Sequence, residues 1–291
     1  MMRGMTADVA IEVEDLHKDY GAHHAVRGIS FSVRRGEVFG LLGPNGAGKT
    51  TTVEILEGYR QRTRGRVAVL GMDPGPRPIA LRERIGIVLQ SSGLYRHLTV
   101  AEAVGHWAGF YDAPRDVDET IALSGLEAAA GQRTRTLSGG QQRRLDFALA
   151  LIGDPELVFL DEPTTGFDPA ARRQAWETVR SLQGLGKTVL LTTHYLDEAQ
   201  ALADRVAIIK DGAILAEGAP GELGASSPRY RVAWRDADGA PQERETEDPT
   251  PLLHELTGAA LARGERVREL SVTQPSLEDV YLELTAEAVP E

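Results

Sequence analysis

Cysteine is absent from the 291 residues of this chain. That excludes disulfides, thiolate zinc sites and thiol catalysis, and it fits a reducing compartment. Long apolar runs are absent too, since none approaches the roughly 18 residues that a membrane helix requires. The opening MMRGMTADVA lacks the apolar stretch of a secretory signal. The expectation is a soluble chain whose link to any membrane runs through a partner. Basic charge is scarce, with 32 Lys and Arg against 43 Asp and Glu and a net charge of −11. Nucleic acid is bound through basic surface, so it is not expected as a partner. Six of the seven histidines, His194 apart, show no metal-ligand spacing, and there is no internal repeat. What remains is an ordinary globular composition, long enough for one large domain or a main domain with a small one. The one compositional break is Gly218 to Pro228, rich in Gly, Ala, Ser and Pro, which reads as a hinge.

Against these absences one stretch stands out. GPNGAGKTT, Gly43 to Thr51, fits the spacing Gly-x-x-x-x-Gly-Lys-Ser/Thr at Gly43, Gly48, Lys49 and Thr50. A buried strand, Val38 to Leu42, precedes it, and a helix from Thr50 to Leu56 follows. Gly43, Pro44, Asn45, Gly46, Ala47 and Gly48 turn backbone N–H groups around a polyphosphate, aided by the helix N-terminus. Lys49 reaches the outer phosphates, Thr51 lies on the first turn, and the Thr50 hydroxyl suits magnesium, which prefers oxygen ligands. Upstream, Ile11–Leu16 and Ile29–Val33 alternate as strands, with Lys18–Gly21 as a turn. Tyr20 in that turn is a candidate to stack on a nucleotide base, and equally an ordinary surface tyrosine.

Further along, Arg66–Leu70 and Ile85–Leu89 read as strands, and Gln90 falls at the carboxyl end of the second, where α/β sheets hold ligands. Ser91 to Thr99 exposes Leu94, Tyr95 and Leu98. Thr99 and Glu102 form a capping box that opens a helix to Ala108, and Val117–Ala130 reads as a further helix. Ser138, Gly139, Gly140 and Gln141 begin a helix whose Leu145, Ala148, Leu149 and Ile152 form an apolar stripe. Its N-terminus is a second anion site, or simply a capped helix with a flexible entry. Leu157–Leu160 is a strand buried on both faces that ends in Asp161 and Glu162. Asp161 can hold magnesium through water, and Glu162, pointing to the other side of the strand end, can take a proton from an attacking water. Pro169 opens a helix through Leu182. His194 follows the strand Thr188–Thr192 at the same sheet edge and is a candidate phosphate contact. Val206–Lys210 and Ile214–Glu217 form a hairpin about Asp211-Gly212. Beyond the hinge come a strand Tyr230–Trp234, a helix Pro251–Ala262, a strand Val267–Val272 and a helix opened by Ser276 and Asp279.

In this order the segments resemble the ATP-binding subunit of ABC transporters over about Ile11 to Glu217. GPNGAGKTT looks like the Walker A loop and VFLDEP, Val158 to Pro163, like the Walker B strand. LSGGQ, Leu137 to Gln141, is identical to the family signature. Gln90 matches the Q-loop, His194 the switch histidine, Asp168 the D-loop aspartate and Tyr20 the adenine-stacking aromatic. Phe167 in GFDP departs conservatively from the usual Leu. The resemblance implies an α/β fold of the phosphate-loop NTPase type, with a mixed sheet core, an antiparallel β subdomain and a helical signature subdomain at about 91–155. The cassette is expected over 8–220 and a small α+β accessory, regulatory or dimerisation domain over 228–291. ATP and Mg2+ are the implied cofactors, with Thr50, Gln90 and Asp161 about the metal and Glu162, His194, Lys49 and Gln90 as catalytic residues. A head-to-tail homo- or heterodimer would close Ser138–Gln141 and Asp168 of one subunit over the other's nucleotide. Separate membrane permease subunits would dock near Leu94, Tyr95 and Leu98, placing the chain at the inner face of the cell membrane. PSLEDVYLELT, Pro275 to Thr285, is similar to the tail of the drug-resistance (daunorubicin-type) exporters and points to export. The open alternatives are an importer motor and a soluble ABC ATPase acting on ribosome or DNA.

Overall fold

Two long strands, β1 (Val9–Tyr20) and β2 (His23–Arg34), open the chain in a computed structural model that describes residues 8–88, 96–225, 230–236, 238–273 and 276–285. Both outrun the alternation visible in the sequence. Pairing between them shifts register at several points and Asp15 has φ 45°, so bulges hide the period of two. Lys18–Gly21 is therefore not the turn. The strand runs to Tyr20, and Gly21-Ala22 makes the hairpin. β3 (Val38–Leu42) leads into α1 (Lys49–Leu56), and β4 (Arg64–Val69) returns to pair with β1. The result is an antiparallel sheet of order β2-β1-β4.

A short helix α2 (Ile79–Arg82) and β5 (Ile85–Val88) follow, then α3 (Val100–Ala108), α4 (Val117–Leu123) and α5 (Gly139–Leu151). The Thr99–Glu102 capping box is present, with both reciprocal hydrogen bonds made. The helix expected to reach Ala130 stops at Leu123, because Gly125 takes φ 62°, and a 3-10 turn covers Glu127–Ala129. The remaining elements of the first unit are β6 (Leu157–Asp161), α6 (Pro169–Gly184), β7 (Thr188–Thr193), α7 (Leu196–Leu202), β8 (Arg205–Lys210) and β9 (Ala213–Gly218). Its main sheet has the order β5-β6-β7-β3-β8-β9, and β5, β6, β7, β3 and β8 are parallel.

Three apolar cores hold this unit together. Phe159 and Leu190 face the antiparallel sheet, where Phe31 stacks on Phe39 with ring centroids 5.4 Å apart. Val158, Leu160, Val189 and Leu191 face the helices on the other side. Each such side chain contributes about 1.5–3 kcal/mol on burial, so strands apolar on both faces are driven to the centre of the sheet. Helix α5 is buried on two sides. Leu145, Ala148, Leu149 and Ile152 pack with α3 and α4, while Phe147, Ala150 and Leu151 pack on the main sheet. It joins the helical subdomain to the strand that carries Asp161.

The chain divides into units Met1–Glu217 and Gly218–Glu291. The second holds α8 (Pro220–Ala225), β10 (Tyr230–Arg235), β11 (Pro241–Thr246), α9 (Pro249–Ala262), β12 (Arg268–Thr273) and α10 (Leu277–Thr285). Its antiparallel sheet has the order β11-β10-β12. Part of the stretch read as a hinge is helical, since α8 packs on α10 within this unit. Strand β11, PQERET, is exposed and charged with no apolar alternation, so its sequence carries no strand signal.

Candidate active site

The site is built at the carboxyl ends of β3, β6 and β7. Gly48 closes the loop after β3 with φ 103°, and a Cβ there would lie 2.5 Å from the Ala25 carbonyl, so only glycine fits. Gly43 is fixed by contact, because a Cβ would meet the Ile209 carbonyl at 2.2 Å. The turn of the β8–β9 hairpin braces the loop from the same direction: Gly212 N–H donates to the Ala47 carbonyl at 3.0 Å. A solvent-open cavity of about 430 Å³ is lined by Asn45, Gly46, Gly48, Lys49, Thr50 and Thr51 from the loop and helix. Glu162 and Tyr20 also line it. Such a volume is typical of small-ligand sites.

Lys49 is buried, and its ammonium donates to the Gly43 carbonyl at 2.8 Å and the Pro44 carbonyl at 3.1 Å. It also stands 3.4 Å from Glu162 Oε1. Burial pulls its pKa down, opposed by the Glu162 and Asp161 carboxylates. The same Glu162 oxygen lies 3.4 Å from His194 Nδ1, and the Thr165 hydroxyl donates to Glu162 Oε2 at 3.0 Å. Burial raises the Glu162 pKa, but Thr165, Lys49 and His194 together outweigh it and hold the carboxyl below its ordinary value.

Alternation along β6 sends Asp161 and Glu162 to opposite sides, and the structure corrects this. Glu162 has φ 45°, a left-handed conformation that breaks the pleat, and both carboxylates gather near Lys49. Its N–H donates to Thr192 Oγ1 at 3.0 Å, and that hydroxyl donates in turn to Asp161 Oδ1 at 2.5 Å. Burial raises the Asp161 pKa, opposed by hydrogen bonds from Thr192 and Thr50. Thr50 and Asp161 thus form a hydroxyl–carboxylate pair beside the cavity. Two hard oxygen donors with room for water suit Mg2+, which keeps much of its own hydration shell. No group of three or more His, Asp or Glu gathers about a metal among the described residues. Gln90, Leu94 and Tyr95 lie outside the described residues. Leu98, expected to be exposed, is half-buried against the helical core.

Tyr20 is 40% exposed, with Lys18 Nζ 4.9 Å and the Arg60 guanidinium 5.4 Å from its ring centroid. His23 and Ala25 also line the cavity. Neither was a candidate from the sequence. The hairpin that brings β2 back past Tyr20 places them there, and the only available signal was their distance from Tyr20 across a two-residue turn.

The structure does not bring Ser138–Gln141 or Asp168 into this cavity. Ser138 and Gln141 satisfy each other in a capping box at the start of α5: Gln141 Oε1 accepts from Ser138 N–H at 2.9 Å and Ser138 Oγ from Gln141 N–H at 3.3 Å. Asp168 Oδ1 accepts from Ala171 N–H at 3.0 Å, capping α6.

A parallel sheet with a glycine loop, a buried lysine and acids at the neighbouring strand end defines a phosphate-loop nucleoside triphosphatase. The profile of the ABC transporter family matches residues 26–165. The daunorubicin resistance ATP-binding protein DrrA3 of Streptomyces coeruleorubidus is 39% identical, covering 97% of each chain. The Nod factor export ATP-binding protein I of Rhizobium sp. (strain N33) is also 39% identical, over 95% of this chain and 97% of its own. Among solved structures, cbiO1 from Clostridium perfringens, part of an ABC transporter complex, matches with TM-score 0.67 and 31% identity, covering 75% of this chain and 91% of its own. A dimeric ATP-binding cassette bound to ADP and Pi in a post-hydrolysis state matches with TM-score 0.64 and 26% identity, covering 72% and 98%. The chain belongs to the ATP-binding subunits of ABC transporters. These are ATPases that use ATP with Mg2+, dimerise, and work with membrane permeases. No helix among the described residues is long and apolar enough to cross a membrane.

Proposed function

We propose that this chain is the motor subunit of an exporter, bound to permease subunits at the inner face of the cell membrane and moving a drug-like or lipid-like compound. The observation that carries its chemistry is the meeting of Lys49, Glu162 and His194 around one carboxylate oxygen, with Asp161 and Thr50 alongside. Lys49 and the loop N–H groups receive the triphosphate and Tyr20 stacks on adenine; Thr50, Asp161 and Gln90 would hold Mg2+, whose charge would offset that of the phosphates. Glu162 takes the proton of the attacking water, and His194 orients that water against the terminal phosphate. Before nucleotide arrives, Lys49 and His194 help to hold Glu162 below its ordinary pKa, so it is a poor base. When the phosphates claim Lys49, that restraint weakens and their negative charge raises the proton affinity of Glu162. Turnover is thereby tied to occupancy. Ser138–Gln141 and Asp168 complete the site of a second subunit.

Export follows from the kinship with drug-resistance and Nod factor export subunits along nearly the whole chain. The permease contact is assigned to Leu94 and Tyr95, with the half-buried Leu98 at its margin. The test is co-purification from detergent-solubilised membranes, followed by ATP-dependent accumulation of an amphipathic drug in inverted vesicles carrying the chain and its permease. Retention of ribosomal RNA instead of a membrane protein defeats the transporter reading. A purified pair that binds and hydrolyses ATP without accumulating any compound defeats export.

A further inference from the structure

Helix α5 carries a charge that its apolar packing does not require. Arg143 is buried, and its Nε–H donates to the Pro163 carbonyl at 3.1 Å. Its guanidinium also stands 3.8 Å from Asp146 one turn on. Pro163 immediately follows Glu162. The next residue, Thr164, is 1% exposed and donates its hydroxyl to Glu198 Oε1 at 2.8 Å. Glu198 is fully buried on α7, and the same oxygen accepts from Trp176 Nε1 of α6 at 3.2 Å. Thr193, the residue before His194, lies beside this carboxyl and helps to hold its pKa down against burial, while its hydroxyl accepts from Tyr195 N–H at 2.9 Å. A line of buried polar contacts therefore runs from the helix that begins at Ser138 to the residues flanking both Glu162 and His194. A buried polar network of this kind fixes one arrangement, since shifting any member strands another without a partner.

We propose that the network Arg143–Pro163–Thr164–Glu198 couples the two nucleotide sites of the dimer. It ties the helix end that grips the second subunit's triphosphate to the base and histidine of its own chain. This rests on the reading of Glu162 as the base and of Ser138–Gln141 as facing the other subunit's nucleotide. Arg143, Thr164 and Glu198 are positioning residues and touch no substrate. Docking of the Ser138 end on a triphosphate moves α5. Arg143 passes that movement to the Pro163 carbonyl, and Glu198 keeps Glu162 and His194 in step. Glu162 sits in a left-handed conformation that its neighbours must hold, so its placement responds to this pull.

The experiment uses the full-length chain. Thr164→Val keeps the shape and removes the donor, Arg143→Met removes the buried guanidinium, and Thr164→Ser restores the hydroxyl. ATP affinity is measured by calorimetry in the absence of metal, and turnover is measured across ATP concentration. Loss of coupling leaves affinity within about twofold, lowers kcat about tenfold, and moves the Hill coefficient from near 2 to near 1, with Thr164→Ser restoring both kcat and the Hill coefficient. A purely structural network lowers the melting temperature and kcat while the Hill coefficient stays as in the unmodified chain, and that outcome overturns the proposal. So does an unmodified chain with a Hill coefficient of 1. If Arg143→Met does not fold, the Thr164 pair decides alone. Glu162→Gln is run in parallel to separate the two failures. Normal turnover in Glu162→Gln defeats the base assignment. A dead Glu162→Gln with an unchanged Hill coefficient in Thr164→Val defeats only the coupling.

Discussion

The chain has two devices for holding phosphate, and they are built in opposite ways. The loop Gly43–Thr51 is braced by the Asp211-Gly212 turn and backed by a buried lysine whose bonds are already made within the chain. The start of α5 is open. Ser138 and Gly139 are exposed, and the helix entry is held by a capping box and by Gln142 Nε2, which donates to the Leu137 carbonyl at 3.2 Å. The loop is preorganised and complete, whereas the α5 end offers first-turn N–H groups that have no partner in their own helix. A finished site and a half site in one chain make sense when a second copy supplies the missing half.

The sharpest way to break this contrast is to disable chemistry at the finished site alone. Glu162→Gln lowers steady-state turnover by roughly 10²–10⁴, about 3–5 kcal/mol, with ATP affinity kept. Rates near those of the unmodified chain in a coupled ATPase assay remove Glu162 as the base. Next in size is the cost of charge on the loop side. Glu57 at the end of α1 is buried, and desolvation, then Asp161 and Glu54, push its pKa up to about 8. The folded state binds this proton more tightly than the unfolded chain does. Stability therefore falls as pH rises from about 4.5 to about 8 and is level above that range. Glu57→Gln removes the slope and stabilises the protein at pH 8.5 by roughly 2–4 kcal/mol relative to the unmodified chain. Urea midpoints at pH 5.5 and 8.5 that shift equally in both proteins contradict it.

Lys49→Ala strikes the loop's grip itself, and calorimetry is expected to show ATP binding weaker by roughly ten- to a hundredfold. Gly139→Asp reverses the contrast. A Cβ at Gly139 meets nothing within 4 Å and its backbone is ordinary, so folding is preserved while a negative charge enters the half site. ATP affinity of the single chain stays within about twofold, but ATP no longer drives pairing when this change is made in Glu162→Gln, as read by light scattering. Pairing that persists would place the second grip elsewhere. The smallest effect is at Tyr20→Ala, which weakens ATP by about 0.5–1.5 kcal/mol and GTP by a similar amount. A selective loss of ATP alone would show that the base is read by more than stacking.

The sequence made much of this legible because phosphate chemistry demands particular residues at fixed spacing. Gly43, Gly48, Lys49 and Thr50, and the apolar strand ending in Asp161, stand where their local pattern places them. The α5 stripe and the Thr99–Glu102 capping box are equally local and equally readable, whereas Ser138–Gln141 reads as a capped helix with a flexible entry and proves to be a capping box. What escaped depends on distant parts of the chain. Bulges concealed the length of β1, and the polar strand β11 has no apolar face to announce it. The side taken by Glu162 is set by one left-handed residue that Thr192, thirty positions away, secures through its hydroxyl. His23 reaches the cavity only because a hairpin folds it back. The Arg143–Glu198 network joins four segments with no shared spacing, so no local period records it.

The brace between Gly212 and Ala47 also has a consequence for biosynthesis. A nascent chain leaves the ribosome with its phosphate loop long before the turn at Asp211-Gly212 is made. Until then the Ala47 carbonyl lacks its donor, and the space beside Gly43 lacks Ile209. A chain truncated before Asp211 is therefore expected to carry the whole glycine motif yet hold nucleotide poorly, as ATP calorimetry on that fragment would read.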